Sequence, residues 1–148
     1  MNLDRRTKRT TSRGSAQLAL PHLLLLYSCP ESAADARHFV RDYLGAVAPD
    51  AADGHLDDVV LIVSELVTNA VQHGTAPGDP LRLVVDADDR RTRVEVHDPA
   101  RHHPCIRDAA SQDDDGRGLA IVNALCLGSW GVTDTTTGKA VWAEVAAS

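Results

Sequence analysis

The sequence SELVTNAVQHG, from Ser64 to Gly74, combines a core-forming pattern with three polar residues at a regular interval. Its apolar residues, and those just before it, recur at helical spacing and form one continuous face. Glu65, Asn69 and His73 are each four residues apart, so a helix places them along one edge of that face. A solvated edge is one interpretation. A functional row is the other, because asparagine is a poor residue for a helix interior.

Each of these three polar groups suits a distinct task beside a nucleotide. A carboxylate such as that of Glu65 can orient or deprotonate a nucleophile. The side-chain oxygen of Asn69 suits Mg²⁺, a hard cation that prefers oxygen ligands. The imidazole of His73 can contact a phosphate or support a neighbouring group.

Two downstream segments suit the same ligand. VEVHDPA ends an alternating strand at Asp98, where a buried carboxylate can accept a hydrogen bond from an exocyclic amine; a turn-starting Asp is the simpler alternative. DDDGRGLAIV places Gly116 and Gly118 just before a helix. Such glycines let the backbone approach a phosphate, and the helix N-terminus supplies N–H groups. A G-x-G pattern alone is a weak signal, and it gains weight only in combination with the polar row.

The pattern of elements predicts an α/β fold. A single domain over residues 18–148 is expected, preceded by a flexible basic arm, residues 1–17. The order is a buried strand (HLLLLYS), two helices, two strands, a long loop, a helix and two strands. This order predicts a two-layer sandwich in which helices cover one face of a mixed sheet. Residues 99–116 show no periodicity, which is typical of a functional or mobile loop.

Charge and cysteine content restrict the class of protein. Of 15 Lys and Arg, five lie in the first 13 residues with one acid, so 15 − 5 = 10 basic and 21 − 1 = 20 acidic residues remain. Such an acidic body does not suit direct nucleic-acid binding. Three cysteines without paired spacing favour a reducing, cytoplasmic location. No stretch is long enough to span a bilayer.

A secretory signal is an alternative interpretation of the N-terminus. The basic arm is followed by LALPHLLLLYSC, with Cys29 near a lipoprotein-type position. Pro21 and His22 interrupt the short apolar run, and Pro30 follows the cysteine directly. A first strand explains the same residues and is preferred.

Together these motifs resemble the GHKL ATPase superfamily, which includes gyrase-type topoisomerases, ninety-kilodalton heat-shock chaperones, histidine kinases and MutL proteins. ELVTNAVQH resembles its N box, the segment from Asp98 its first glycine box, and GRGL its second. The sequence is more similar to short actinobacterial anti-sigma-factor serine/threonine kinases. In that family SELVTNAVQHG, a segment like DPARHHP, GRGLAIVNAL, WGV and GKAVWAEV occur in this order and spacing. The resemblance covers about residues 30–146 and implies a Bergerat-type ATP-binding fold.

The resemblance implies a role for each matching residue. Glu65 would be the catalytic base that activates the attacking hydroxyl, Asn69 the Mg²⁺ ligand, and Asp98 the residue that reads the adenine amino group. Residues 101–115 would be an ATP lid, mobile without nucleotide and ordered when ATP binds. The other implied ATP-binding positions, including the hinge of the lid at its phosphate side, are His73, Ala100, Gly116, Arg117, Gly118 and Leu119.

Two departures from the family pattern affect the nucleotide site. Ala100 and His102 stand where the first glycine box has its glycines. The late strand of the family reads G-K-T-V-W, with a Thr that helps to bind adenine through Asp98 and a water. Here Ala140 takes the place of that Thr, and the lost hydrogen bond is expected to weaken ATP binding by about tenfold or more.

The implied function is ATP- and Mg²⁺-dependent regulation of transcription. The protein would phosphorylate a Ser or Thr of an anti-anti-sigma antagonist and sequester a sigma factor, as a cytoplasmic homodimer. A catalytically silent binding module of the same fold, which only sequesters protein partners, is the alternative that Ala140 favours.

Three further alternatives are weaker. A histidine-kinase catalytic domain is disfavoured because no dimerisation helix with a phospho-accepting His precedes the domain. A gyrase-like or MutL-like ATPase is disfavoured because no transducer domain follows it. A zinc site is disfavoured because its candidate ligands lack regular spacing. Those ligands are His97, His102, His103 and Cys105.

Overall fold

The computed structural model describes residues 22–104 and 117–147, which form two layers, one of helices and one of strands. The elements in chain order are β1 (His22–Tyr27), α1 (Ser32–Val47), α2 (Asp53–Asn69), a π-helical turn (Ala70–Gly74), β2 (Pro80–Ala87), β3 (Arg91–Asp98), α3 (Arg117–Leu125), β4 (Trp130–Thr135) and β5 (Gly138–Ala146). This order, and the α/β sandwich that it predicts, are confirmed.

The sheet has the strand order β1-β2-β3-β5-β4, and every neighbouring pair is antiparallel. The expectation of a mixed sheet is therefore corrected. The β4–β5 hairpin docks on β3 through β5 and leaves β4 at the edge, whereas docking through β4 would have made a parallel pair. This arrangement brings the start of β5 beside the end of β3, where Asp98 lies.

The core lies between the sheet and the helices. Alternate residues of the inner strands, such as Leu83, Val94 and Val141, face α1 and α2, whose apolar faces include Val40 and Val63. Burying one such Val or Leu side chain fully stabilises the fold by about 1.5–3 kcal/mol. The helices of the described residues cover this face of the sheet, and the opposite face carries the polar residues of the alternating strands.

The first strand is confirmed, but the expectation that it is buried is wrong for five of its six residues. Leu26 is 6% exposed, whereas Leu23 and Leu25 are 52% and 66% exposed. β1 is an edge strand, and only alternate side chains of a strand reach the helical layer. The predicted basic arm, residues 1–17, lies outside the described residues and stays a prediction. In the described ranges, no helix combines the length and apolar character that a membrane span requires.

The start of the predicted lid is hydrogen-bonded to the β4–β5 hairpin. The Arg101 guanidinium donates hydrogen bonds to the carbonyl oxygens of Thr135 (2.7 Å) and Thr136 (2.8 Å) in the turn. The His103 Nε2 and Asp134 Oδ1 atoms are 2.7 Å apart, and this partner holds the pKa of the Asp134 carboxyl below its usual range. The rest of the lid, residues 105–115, lies outside the described part of the chain, so its mobility stays a prediction.

Candidate functional site

A cavity of about 230 Å³ lies between the C-terminal end of α2 and the adjoining ends of β3 and β5. Leu66, Val96 and Val141 provide apolar walls. Asn69 and Asp98 bring polar atoms to the same cavity, although they lie on different elements. The arrangement combines an apolar wall with a polar part of the lining that includes the Asp98 carboxylate.

The helix that carries the polar row widens in its last turn. Residues Ala70–Gly74 are π-helical, and the Thr75 hydroxyl beyond them donates a hydrogen bond to the Ala70 carbonyl oxygen (2.9 Å). Single π turns inside or at the end of helices are rare and often occur at functional sites. Because of the wider turn, His73 leaves the strict four-residue row, yet it lines the same cavity as Asn69. Glu65, the third member of the row, is not among the residues that line this cavity.

Asp98 is held by contacts from three directions. Its Oδ1 accepts hydrogen bonds from the Lys139 ammonium (2.9 Å) and from the Ala100 N–H (2.8 Å). Its Oδ2 faces Gly74, where a Cβ would lie only 2.7 Å from this oxygen. Gly74 thus lets the carboxylate sit against the π turn. Ala100, a predicted nucleotide-contact position, contributes its backbone N–H to Asp98.

Lys139 is the residue that the motif pattern does not single out. It is 2% exposed and lines the cavity opposite the helical turn. One signal was present in the sequence: Lys139 has the same phase on its strand as Val141, Ala143 and Val145, which all face the core. A lysine at a core-facing position requires a buried partner, because an unpaired buried charge is costly.

The role expected for position 140 is wrong. Lys139 and Val141 both line the cavity, and successive side chains of a strand point to opposite faces, so Ala140 points to the outer face of the sheet. Its cross-strand neighbour is His97, whose ring is 2.9 Å from Glu95 Oε1 on that outer face. A side chain at position 140 is therefore separated from Asp98 by the sheet, and Ala140 is no reason to expect weak ATP binding.

This placement predicts that Ala140→Thr leaves nucleotide binding unchanged. The added hydroxyl lies on the far side of the sheet from the cavity, so the dissociation constant for ATP should change by less than about twofold. Isothermal titration of the wild type and the variant with ATP and Mg²⁺ measures this. A tenfold gain in affinity would contradict the outward orientation of Ala140.

Glu65 lies on α2 in close contact with the first turn of α3. A Cβ at Gly118 would lie 2.7 Å from Glu65 Oε1, so the absence of a side chain at Gly118 leaves room for the carboxylate. Burial raises the pKa of the Glu65 carboxyl. On the preceding residue, the Ser64 hydroxyl accepts a hydrogen bond of 2.9 Å from Arg37 on α1, which fixes this part of α2 against its neighbour. A half-buried carboxylate with a raised pKa suits a general base.

The remaining predicted site residues differ in whether they lie near Glu65, at the surface or in the core. Arg117 begins α3 and is exposed, and Gly118 follows it beside Glu65. The Leu119 side chain is 1% exposed and packs in the core, so the cavity does not include it. Gly116 lies outside the described residues.

The ligands of the zinc alternative are not brought together in the described residues. His97 is bonded to Glu95 on the outer face of the sheet, whereas His103 contacts Asp134 on the β4–β5 hairpin. Within residues 22–104 and 117–147, no group of three or more His, Cys, Asp or Glu side chains is arranged to hold a metal ion. Cys105 lies outside these ranges.

Comparison with known proteins identifies a similar solved structure and a protein family. In the solved crystal structure of the RsbU and RsbW domains of Rv1364c from Mycobacterium tuberculosis, a similar fold is found with a TM-score of 0.63 and 21% sequence identity. The similarity covers 86% of this chain but only 32% of that solved chain. A comparison with curated proteins gives no match. The family model described as a histidine kinase-like ATPase domain matches residues 27–143, from β1 to β5. Because this match spans most of the chain, the protein belongs to the histidine kinase-like ATPase domain family.

Proposed function

We propose that the protein is an anti-sigma-factor regulator that binds ATP and Mg²⁺ and phosphorylates a Ser or Thr of an antagonist protein. An ATPase domain implies ATP binding. The protein acceptor, a sequestered sigma factor, Mg²⁺, a homodimer and a cytoplasmic location are parts of the proposal. The five motifs shared with anti-sigma-factor kinases support them, as does a fold similar to that of a chain with an RsbW domain.

The observation that carries the proposal is the buried Asp98 carboxylate, which lines the same cavity as three apolar side chains. Adenine has two flat apolar faces and an amino group on one edge. Leu66, Val96 and Val141 can contact the faces, and the Asp98 carboxylate can accept a hydrogen bond from the amino group. The cavity therefore fits the nucleobase of ATP.

The residues around the cavity can do what phosphoryl transfer requires, which is mainly positioning and charge stabilisation. The Asn69 side-chain oxygen would hold Mg²⁺, which neutralises phosphate charge when bound. Backbone N–H groups in the first turn of α3, near Gly118, would face the phosphates. Glu65 would take the proton of the attacking hydroxyl, a role that its raised pKa suits.

Asn69→Ala is expected to remove the Mg²⁺-dependent part of ATP binding. If the carboxamide oxygen is a metal ligand, its loss weakens binding by about tenfold or more, the range for an unreplaced bond to a charged group. Isothermal titration with ATP, with and without Mg²⁺, measures the difference. Gln72→Ala is the matched control, since it removes an exposed carboxamide from the adjoining π turn. Equal Mg²⁺ dependence in the two variants would contradict the assignment of Asn69.

The kinase step is tested by incubating the protein with radiolabelled ATP and candidate antagonist proteins. Label on a Ser or Thr of one antagonist, and none on the protein itself, is the expected result. The silent binding module remains the second candidate, favoured by the ion pair that already occupies Asp98 Oδ1. That candidate predicts sigma-factor binding without transfer of label to any antagonist.

A further inference from the structure

A buried cation lies at the end of the cavity where Asp98 is found. The Lys139 ammonium is 2.9 Å from Asp98 Oδ1 and 3.5 Å from the Ala100 carbonyl oxygen. The Lys139 and Asp98 side chains are 3% and 1% exposed. An ammonium group has three N–H donors and no acceptor. Two donors are directed at these oxygens, so the third is available to the cavity that Lys139 lines.

We propose that Lys139 is a base-reading residue which, together with Asp98, selects adenine by donating a hydrogen bond to its N1 atom. This inference rests on the proposed ATP binding at the same cavity. It replaces the contribution expected from position 140, since Lys139 lines the cavity with a polar group and Ala140 does not line it. A bound base would add one hydrogen-bond partner to each of two charged groups that are shielded from water.

The selectivity follows from the fixed polarity of the two groups. A carboxylate only accepts hydrogen bonds and an ammonium group only donates them. Adenine presents a donor at its 6-amino group and an acceptor at N1, which complements Asp98 and Lys139. Hypoxanthine and guanine present the reverse, an acceptor at O6 and a donor at N1. In the same position these bases would direct oxygen at the carboxylate and N–H at the ammonium group.

Lys139 therefore makes the site stricter than a hydroxyl would. The hydroxyl of a Thr can donate or accept and so adapts to either base edge, whereas the ammonium group cannot. Specificity of this kind depends on unpaired polar groups in the wrong complex as much as on contacts in the right one. The pair is also pre-organised, because the Ala100 N–H holds Asp98 Oδ1 from the other side at 2.8 Å.

The test compares nucleotides on the wild-type protein by isothermal titration with Mg²⁺. In 1-deaza-ATP a C–H replaces N1, and this analogue is expected to bind about 10- to 100-fold more weakly than ATP, the range for a hydrogen bond from a charged donor. ITP, which carries O6 and N1–H without a 2-amino group, is expected to bind more weakly still. The matched control is 7-deaza-ATP, which alters the opposite edge of the base and should bind as ATP does.

A variant isolates the contribution of the ammonium group. Lys139→Met keeps an unbranched side chain and removes the charge, so it is expected to bind ATP and 1-deaza-ATP with equal affinity. If this variant does not fold, the comparison of nucleotides on the wild type decides alone. Equal binding of ATP and 1-deaza-ATP by the wild type would overturn the inference about Lys139 and leave ATP binding intact. Tighter binding of ITP or GTP than of ATP would also overturn it. Failure of every nucleotide to bind would overturn both the proposed function and the inference.

Discussion

Glu65→Gln is expected to slow phosphoryl transfer to the antagonist by about 10²- to 10⁴-fold, the usual contribution of a general base. The amide has nearly the same shape as the carboxylate but cannot take a proton from the attacking hydroxyl. Glu65 does not line the cavity, so ATP affinity should stay unchanged. Single-turnover transfer of label at saturating ATP, combined with isothermal titration, separates the two effects. Unchanged transfer would show that the proton leaves by another route.

The same variant is expected to melt at a higher temperature than the wild type at neutral pH. Burial raises the pKa of Glu65, so the ionised carboxylate is less favourable in the folded state than in the unfolded state. For a group with a raised pKa, the stabilising contribution is present below the ordinary carboxyl pKa and is lost as the pH rises through the raised value. The difference between Glu65→Gln and the wild type should therefore disappear at acid pH below both values.

Thermal melts at neutral and acid pH measure this effect, with Glu31→Gln as the control. Glu31 is exposed at the N-cap position of α1, where a negative charge is mildly favourable, so the same chemical change there should not raise the melting temperature at neutral pH. A lower melting temperature for Glu65→Gln at neutral pH would show that the carboxylate makes a favourable contact in the folded state. Such a contact, and not burial, would then be the main influence on Glu65.

Local patterns were enough to predict which residues of α2 and β3 meet. The spacing of Asn69 within a helix and the position of Asp98 at the end of an alternating strand are local properties, and both residues line one cavity. The π turn was not predicted. The residue that follows it makes a contact far away in the sequence, since the Thr75 hydroxyl lies 2.6 Å from the Ser28 hydroxyl. No periodicity of the helix itself reports such a contact.

The error at position 140 has a different physical cause. Side chains alternate along a strand, so a shift of one residue exchanges the two faces of the sheet. Lys139 and Ala140 are neighbours in the sequence, and assigning the nucleotide contact to the second of them placed it on the wrong face. The register of β5 on β3, which pairs Lys139 with Asp98, fixes the correct face. That register depends on which strand of the β4–β5 hairpin pairs with β3. This pairing is set by the tertiary structure and not by the local sequence.

Asp98→Ala is expected to destabilise the fold itself, by about 3–5 kcal/mol, as well as to abolish binding of adenine nucleotides. Removing the carboxylate leaves the Lys139 ammonium buried at 3% exposure without its charged partner. A loss of this size is a large part of the roughly 5–15 kcal/mol that stabilises a typical domain. Chemical denaturation with urea, extrapolated to water, gives the free energy of unfolding for the comparison. Asp134→Ala is the control, because it breaks an exposed ion pair with His103 and should leave that free energy nearly unchanged.

The double variant Asp98→Ala with Lys139→Met separates the structural role of the pair from its role in binding. Replacing a whole buried ion pair with apolar groups is often neutral or stabilising, so most of the lost free energy of unfolding should return. Nucleotide binding should not return, because the double variant has neither the acceptor for the adenine amino group nor the donor for N1. If Asp98→Ala alone unfolds with the wild-type free energy, the ammonium group must reach water without Asp98. Lys139 would then not be held at the end of the cavity by the ion pair, and its role in reading the base would lose its structural support.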